Sequence, residues 1–379
     1  MAMKNFIKNK KWAFLLLAYV FGLFSFFAKP QISAAALEKC NTGGDIAAIA
    51  EVDAVEAISG DVKVSSRIFE LFFGKENKGE RPKLCVGGSV FGLLINEDGV
   101  TVTAANGSRS LVTGDRIVAV NGKQVSSAEE VEAAVGESGG KNIELEIIRA
   151  GERMCIRMIP KLVDGEYKLG VSLRSRTAGI GTVTFIDPET LAFGGLGHGV
   201  GADGGYVSIK SGSVNDVVLG GCKRGEPGKA GELSGVLKKS SHGSIISNNE
   251  CGVFGVLDEL PSYASEPIPI AYKNEVKEGA AEIISTVKGG KRQTFKIEIY
   301  DIDTTSTGSK SFKIKVTDPT LISMTGGIVR GMSGSPIIQD GKLVGAVTHV
   351  MVANPCEGYG IFIENMLNSA QSQVQPKAA

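Results

Sequence analysis

The long glycine-rich second half of this chain constrains its fold more than any other feature. From Tyr167 onward, short β-prone runs alternate with turn residues, and helical periodicity is nearly absent until about Ile363. The 50 glycines follow no period, which excludes collagen and suits strands joined by tight turns. Many short strands with almost no helix predict an all-β barrel or sandwich. The predicted strands are 182–186, 206–209, 252–257, 268–272, 281–287, 294–300, 312–316, 336–338 and 343–350.

The overall composition excludes several classes of protein. Lys+Arg and Asp+Glu both number 41, so no basic excess points to nucleic acid as a partner. The six cysteines form no C-x-x-C pair and only three histidines are present, so neither a structural metal site nor a cofactor is expected. Whether the cysteines pair after export or stay as buried thiols is open at this level. The length of 379 residues suffices for two compact domains.

The N-terminus has the pattern of an export signal or a membrane anchor. Lysines precede an apolar run over residues 12–28, which Lys29 and Pro30 close. The lysines are expected to stay in the cytoplasm, which places the rest of the chain across the membrane. Small residues at 34–36 offer a cleavage site, so a cleaved signal and a retained anchor both remain possible. We therefore expect a targeting segment over 1–30 and a connector over 31–82.

A further domain is predicted over residues 83–165. The segment GDRIVAVNGKQV carries a turn, a short strand and an Asn-Gly hairpin signal. Ser126 or Ser127 can cap a helix that Gly139 and Gly140 end, and 143–147 alternates as a strand. These segments resemble a PDZ domain, which implies that Val90-Phe91-Gly92-Leu93 forms a loop that binds a peptide carboxylate beside a free strand edge. The alternative is a PDZ-shaped spacer with an idle groove.

A short loop near the C-terminus carries the strongest chemical signal. Its sequence is GMSGSP, from Gly331 to Pro336, and it resembles the nucleophile loop of trypsin-like peptidases. Glycines allow a tight loop to point the Ser333 hydroxyl outward. The N–H groups of Gly331 and Ser333 would then form an oxyanion hole. Ser335 is a rival nucleophile. We interpret it as structural because the nucleophile loops of trypsin-like peptidases usually have glycine in its place.

A serine nucleophile needs a base, and the chain offers His198, His242 and His349. His198 lies between glycines that leave its imidazole accessible, and it precedes the serine in the chain. His242 sits in a polar loop and is expected to be solvated. His349 falls in a predicted strand, where a buried and satisfied core histidine is expected. These features favour His198 as the general base.

The acid that would orient the base is the least constrained part of the predicted site. Asp318 precedes the nucleophile in the segment VTDPT, although Asp-Pro also commonly begins a turn. In trypsin-like enzymes the acid lies much further from the serine in sequence. Asp203, Asp258, Asp301 and Asp303 therefore remain as alternatives.

Taken together, these parts resemble the stage IV sporulation protein B family, the serine peptidases of endospore-forming bacteria. The motifs that carry the resemblance are FGGLGHG and GMSGSPIIQDGKLVGAVTHV followed by GYGIFIENML, and it covers about residues 80–370. It implies a catalytic trio of His198, Asp318 and Ser333. It also implies export from the forespore into the space between two membranes. There such a protein cleaves itself and a regulatory membrane protein, which releases a membrane-embedded protease that activates a late sigma factor.

The expected fold is mainly β, with an N-terminal membrane segment, a PDZ-like domain and a trypsin-like double-barrel peptidase domain over 166–379. The principal alternative function is a non-enzymatic adaptor, in which an inactive peptidase fold carries a working PDZ domain. A PDZ-regulated stress protease is disfavoured because that class usually carries its PDZ domain after the peptidase. A cysteine peptidase is disfavoured because no cysteine lies in a comparable loop.

Overall fold

The structure is a computed structural model that describes residues 81–108, 110–202 and 205–372. The predicted targeting segment and residues 31–80 of the predicted connector lie outside the described residues. Among the helices that are described, none has the length and apolar composition needed to cross a membrane.

Within these ranges the chain forms 23 strands and three α-helices. The first strands are β1 (Lys83–Val86), β2 (Val90–Ala104), β3 (Arg116–Val120), β4 (Lys123–Gln124), β5 (Ile143–Arg149), β6 (Glu152–Met158), β7 (Lys161–Val163) and β8 (Glu166–Lys168). The next are β9 (Ser172–Ile186), β10 (Ala192–Gly195), β11 (Gly201–Ala202), β12 (Gly205–Tyr206), β13 (Ile209–Lys223), β14 (Gly231–Asn249), β15 (Gly252–Leu257) and β16 (Ile268–Pro269). The last are β17 (Gly279–Ser285), β18 (Gln293–Tyr300), β19 (Phe312–Val316), β20 (Val329–Arg330), β21 (Pro336–Gln339), β22 (Lys342–Val350) and β23 (Glu357–Phe362). The helices are α1 (Ala128–Glu137), α2 (Pro319–Thr325) and α3 (Ile363–Ser372).

The C-terminal part of the chain closes into a six-stranded barrel in the order β17-β18-β19-β23-β22-β21. Alternation along its strands explains which side chains fill it. In β18, Phe295, Ile297 and Ile299 point into the core while the residues between them are exposed. We call this ring the second barrel.

An earlier part of the chain forms the other ring of six strands. Strands β9, β10, β15, β14, β13 and β2 pair in that order, and β2 also pairs with β9, which closes the ring. Its core includes Phe91 and Phe193, whose rings meet edge to face with centroids 5.8 Å apart. We call this ring the first barrel. The mainly β prediction is confirmed, and two rings match the double-barrel expectation.

A small unit with its own core interrupts the first barrel. The C-terminal half of β2 and the N-terminal half of β9 extend beyond the ring. Apolar residues of these halves and of the chain between β2 and β9 pack around Val131 and Val135 of α1. Ser127 caps α1, because its side chain accepts a hydrogen bond from the Glu130 N–H. We call this part, about residues 99–173, the inserted unit.

The predicted domain boundary at residue 83 needs correction. Residues 92–97 pair with β13, and 90–96 pair with β9, so the first half of β2 belongs to the first barrel. The core of the inserted unit in turn includes Leu169, beyond the predicted end at 165. The motif lies in a part of the chain with its own core, which is inserted between strand segments of the first barrel.

The described cysteines are unpaired thiols, and Cys40 lies outside the described residues. The free cysteines are Cys85, Cys155, Cys222, Cys251 and Cys356.

Candidate active site

The predicted nucleophile loop links β20 to β21 and depends on its glycines. Gly331 and Gly334 adopt φ angles of 98° and 94°, which side chains with a Cβ rarely adopt. Ser333 lies between them and is half-buried, so its hydroxyl reaches the surface. Pro336 begins β21 directly after the loop, as the sequence predicts.

Strand β9 of the first barrel holds this loop in place. The hydroxyl of Thr182 donates to the Gly331 carbonyl at 2.8 Å, and the Thr182 N–H donates to the Ser333 carbonyl at 2.9 Å. The hydroxyl of Thr184 donates to the Gly334 carbonyl at 2.8 Å. Both threonines are fully buried, so no water competes for these bonds. The loop is therefore fixed relative to the first barrel.

His198 reaches the same place from the first barrel. It follows β10 through a tight turn in which Leu196 and Gly197 have φ angles of 63° and 68°. A Cβ at Gly197 would lie within 2.9 Å of the Thr348 side chain on β22. Only glycine therefore lets this turn approach the second barrel closely enough to bring His198 there.

The hydrogen bond of His198 fixes its tautomer. Its Nδ1 lies 3.0 Å from the Gly199 carbonyl oxygen, which can only accept, so Nδ1 carries the proton. Nε2 is then unprotonated and able to act as a base. Burial lowers the pKa of His198, while the bond to Gly199 partly opposes this shift, so the neutral form is favoured.

The two predicted catalytic residues contact adjacent residues of β22, Thr348 and His349. The Ser333 hydroxyl donates to the Thr348 carbonyl at 2.8 Å. The His198 ring lies against the His349 ring, with centroids 4.8 Å apart and planes tilted by 36°. Ser333 does not hydrogen-bond His198 in this resting arrangement, and such contacts in free enzymes often tighten only when substrate binds.

His349 differs from the satisfied core histidine that the sequence predicts. It is half-buried, and its Nδ1 atom is buried without a hydrogen-bond partner. Burial, His198 and Lys310 lower the pKa of His349 to about 4. The side chain is therefore neutral at ordinary pH. Sequence analysis missed this residue as part of the site because its environment depends on His198 from the other barrel.

Asp318, the predicted triad acid, lies at the N-terminus of α2. Its carboxylate accepts hydrogen bonds from the N–H groups of Thr320, Leu321 and Lys296, at 2.9, 3.2 and 3.3 Å. Burial alone would raise the pKa of Asp318, but these backbone bonds outweigh it and hold the pKa below its ordinary value. Asp318 therefore caps α2, and no hydrogen bond joins it to His198 among the described residues, so its role as the triad acid stays a prediction.

The alternative acids do not replace it. Asp258, Asp301 and Asp303 form no hydrogen bond or ion pair with His198 in the described part of the chain, and Asp203 lies outside it. Burial lowers the pKa of His198, the hydrogen bond to the Gly199 carbonyl partly opposes this shift, and no carboxylate contributes to it.

Ser335 is fully buried, and its hydroxyl donates to the Ser285 hydroxyl at 3.0 Å. Because a nucleophile must meet its substrate, this position agrees with the structural interpretation of Ser335.

The Ser333 N–H makes no hydrogen bond within the described residues and is available as a donor. The oxyanion hole at Gly331 and Ser333 stays a prediction.

The prediction that Val90, Phe91, Gly92 and Leu93 form a peptide-binding loop is wrong. These residues lie within β2, with Phe91 and Leu93 buried in the first barrel. Gly92 and Leu93 pair with β9 on one side and with β13 on the other, so they offer no free strand edge. Residues that are apolar because they line a barrel core, interrupted by one glycine, gave this strand the appearance of a binding loop in the sequence.

The inserted unit does have a groove, in a different place. It has a volume of about 660 Å³ and lies between α1 and the segment that leads into β9. Val131 and Val135 line one side, and Leu169, Val171 and Leu173 line the other. A single glycine between apolar residues, in the run KLGVSL, is the sequence signal that marks this place.

Three similarities to known proteins involve parts of the chain. A protein of Lactococcus lactis named as the zinc metalloprotease LL2128 is 32% identical over 74 residues, which is 20% of this chain and 17% of that protein. The PDZ domain of the SdrC-like protein Lmo2051 from Listeria monocytogenes is 19% identical over 20% of this chain and 87% of its own, with a TM-score of 0.18. The active form of the Rv3671c protease from M. tuberculosis is 14% identical over 53% of this chain and 78% of its own, with a TM-score of 0.32.

A family model covers more of the chain. The model described as SpoIVB peptidase S55 matches residues 165–367, which is more than half of the sequence. The match contains the His198 turn, the Ser333 loop and the whole second barrel. It favours an enzyme over the non-enzymatic adaptor. The chain belongs to the SpoIVB peptidase S55 family and is a serine endopeptidase.

Proposed function

We propose that this endopeptidase transmits a signal between two compartments during sporulation. It would cleave itself and a regulatory membrane protein, and so release a membrane-embedded protease that activates a sigma factor. Membership of the SpoIVB peptidase S55 family supports this role. The apolar segment over residues 12–28 supports a location in or across the cytoplasmic membrane, facing the space between the forespore and mother-cell membranes.

Ser333 is the proposed nucleophile and His198 the proposed general base. The observation that carries this assignment is that the two side chains contact adjacent residues of β22: Ser333 contacts Thr348, and His198 contacts His349. The Nδ1–H tautomer of His198 leaves Nε2 free to take the proton of Ser333. In the reaction, the Ser333 hydroxyl would leave the Thr348 carbonyl and donate to that nitrogen.

The reaction is acyl transfer in two steps. The Ser333 oxygen attacks the scissile carbonyl carbon while its proton moves to His198 Nε2. The C–N bond then breaks, and the same proton passes to the leaving amine. A water molecule attacks the acyl group, gives a proton to Nε2, and Ser333 recovers its hydrogen as the carboxylic acid leaves. The N–H groups of Gly331 and Ser333 would stabilise the negative oxygen at each tetrahedral stage.

Self-cleavage of the full chain tests this assignment directly. We would compare wild type, Ser333→Ala and Ser335→Ala on a gel, together with labelling by a serine-reactive phosphonate. Loss of processing and labelling in Ser333→Ala alone is expected, because Ser335 is buried. Equal processing in all three proteins, without labelling, would refute both the nucleophile and the self-cleavage.

Mixing experiments test the signalling role separately. Full-length wild type and Ser333→Ala would each be added to membranes that contain a candidate regulatory protein. Cleavage of that protein by wild type alone is expected. Processing of the chain itself without cleavage of any membrane protein would leave the peptidase assignment intact and refute the proposed pathway.

A further inference from the structure

The loop that joins β18 to β19 reaches the strand that contacts the proposed nucleophile. The Thr348 carbonyl accepts the Ser333 hydroxyl, and the Thr348 hydroxyl donates to the Ser309 carbonyl of this loop at 2.8 Å. The Ser311 N–H donates to a main-chain carbonyl of β23, also at 2.8 Å. The loop is therefore held on both sides of Lys310, once by β22 and once by β23.

The side chain of Lys310 extends over the same two strands. Its ammonium lies 5.0 Å from the centroid of the Tyr359 ring, a distance at which the ring attracts a cation. Tyr359 of β23 is the cross-strand partner of His349 on β22, so both side chains leave the same face of the sheet. The His349 ring lies against the His198 ring, with centroids 4.8 Å apart. Lys310 therefore lies at the end of a row of side chains that begins at the proposed base.

The charge of Lys310 is not neutralised by any carboxylate of the described residues. Lys310 forms no ion pair there, whereas Lys313 pairs with Asp301 at 2.6 Å. The Glu250 carboxylate lies beside Gly308 of the same loop and forms no ion pair with Lys310 either. Lys310 is also exposed, so a ligand can reach it. An exposed cation with a fixed backbone and no counter-charge favours an anionic group of a ligand.

The two histidines of this row do not supply positive charge at neutral pH. Burial is the main cause that lowers the pKa of His198. Burial also lowers the pKa of His349, and the neighbouring His198 and Lys310 lower it further, to about 4. Both rings are therefore neutral at pH 7, and Lys310 supplies the positive charge beside the proposed site.

The place of Lys310 sets how far from the scissile bond its ligand lies. The bond that is cut must reach both the Ser333 oxygen and the His198 imidazole, which lies against His349. Cross-strand partners are about 5 Å apart, and the ammonium lies a further 5.0 Å from the Tyr359 ring, which puts it roughly 10 Å from His349. An extended chain advances about 3.3 Å per residue. Lys310 is therefore within about three substrate residues of the scissile bond.

We propose that Lys310 determines specificity by binding a carboxylate side chain of the substrate, an aspartate or glutamate within about three residues of the scissile bond. This inference rests on the proposed function of Ser333 and His198, to which it adds a class of substrate. The Tyr359 ring holds the ammonium in place, so less side-chain freedom is lost when the carboxylate binds. The covalent steps remain those of the acyl transfer.

The test maps the bonds that the full chain cuts in a mixed peptide library and in itself. Mass spectrometry would locate the cuts, with Ser333→Ala as the background and phosphonate labelling as the measure of active protein. Lys310→Gln removes the charge, and Lys310→Glu reverses it. Lys313→Gln is the matched control, because Lys313 is also close to Tyr359 but its charge is already paired with Asp301.

We expect wild type to cut peptides with Asp or Glu within three residues of the bond about fivefold more often than peptides with Asn or Gln there, the size of effect that one exposed ion pair produces. Lys310→Gln should abolish this preference, and Lys310→Glu should replace it with a preference for Lys or Arg. Lys313→Gln should keep the wild-type preference. A general loss of activity would lower all cuts alike and would not exchange one preference for the other.

Three results would overturn the inference. They are a wild type without acidic preference, an unchanged preference in Lys310→Glu, and a loss in Lys313→Gln as large as in Lys310→Gln. If Lys310→Glu does not fold, an unchanged preference in Lys310→Gln would overturn it equally. In each case, cuts that still require Ser333 would leave the proposed function intact. Absence of all Ser333-dependent cuts, in the library and in the chain itself, would refute the proposed function and this inference with it.

Discussion

The Ser333 loop precedes β21 of the second barrel and the turn at Asp318, called here the Asp318 turn, follows β19 of the same barrel, yet different parts of the molecule hold them. The Ser333 loop is bonded through its carbonyls to Thr182 and Thr184 of the first barrel. The Asp318 turn is bonded to N–H groups of its own helix and of Lys296 on the neighbouring strand β18. Anchoring across the barrels fixes a loop relative to His198, which comes from the first barrel. Local anchoring fixes only the end of a helix.

The two regions also differ in how completely their buried polar groups are hydrogen-bonded. Despite partial burial, hydrogen bonds from the backbone N–H groups of Leu321, Lys296 and Thr320 and from the Thr320 side chain hold the pKa of Asp318 below its ordinary value. Beside the Ser333 loop, His349 keeps a buried nitrogen without a partner. A group whose bonds are complete stabilises the fold, whereas an incomplete one next to a nucleophile is available for chemistry.

The largest expected effect comes from adding one methyl group at Gly334, in the loop that Thr182 and Thr184 anchor to the first barrel. A Cβ at Gly334 would meet the backbone of both Thr182 and Leu196 closer than non-bonded contact allows, and its φ of 94° disfavours alanine. Gly334→Ala should therefore lower the free energy of unfolding by at least about 3 kcal/mol and abolish self-cleavage. Denaturant unfolding of the full chain would measure the first effect and a gel the second.

Gly341→Ala is the control for this substitution. Gly341 has a φ of 73° in the turn between β21 and β22, but no atom lies within 4 Å of its hypothetical Cβ. It should cost only about 1 kcal/mol and leave self-cleavage intact. Equal effects of the two substitutions would mean that backbone conformation, and not contact between the barrels, limits the Ser333 loop.

A second, smaller effect distinguishes the two threonines of the anchor. Thr182→Val and Thr184→Val each remove one buried hydroxyl and leave a carbonyl unpaired, at a cost of about 1–3 kcal/mol. Only Thr182 bonds Gly331, the predicted oxyanion-hole residue. We expect Thr182→Val to slow phosphonate labelling roughly tenfold and Thr184→Val to change it much less. Equal rates for the two variants would argue against the placement of the oxyanion hole at Gly331.

The parts of this molecule that could be predicted from sequence depend on local patterns. The alternation in β18 and the Gly-Ser-Gly loop at Ser333 are set by residues within a few positions of each other. Two predicted strands, 252–257 and 312–316, coincide with β15 and β19. The start of α3 at Ile363 follows from the return of helical periodicity.

The parts that sequence could not predict depend on long-range pairing. Residues of β2 resembled a binding loop, and only their pairing with β9 and β13 shows them to be a barrel strand. The long strands β13 and β14 escaped prediction because they are rich in glycine and serine and largely exposed, without a clear alternation. His349 looked like a core histidine because nothing near it in sequence reveals the contact with His198.

The smallest expected effect concerns the Asp318 turn. Asp318→Ala removes the cap of α2 and should lower the free energy of unfolding by about 1 kcal/mol, whereas Asp318→Asn should cost only a few tenths. Ser127→Ala removes the equivalent cap of α1 and should cost about as much. Denaturant unfolding curves of the three variants would measure these differences.

The pH dependence of the Asp318→Ala effect tests whether the charged carboxylate makes the cap. Because the folded state holds the pKa of Asp318 below its ordinary value, the stabilisation is complete above the unfolded pKa of about 4. It is lost as the pH falls through the lower pKa of the folded state, so wild type and Asp318→Ala should converge in stability in acid. A gap that stays constant down to acid pH would show that packing, and not the carboxylate, stabilises this turn. Loss of self-cleavage in a stable Asp318→Asn protein would show that the turn takes part in the chemistry and that local anchoring does not exclude a catalytic role.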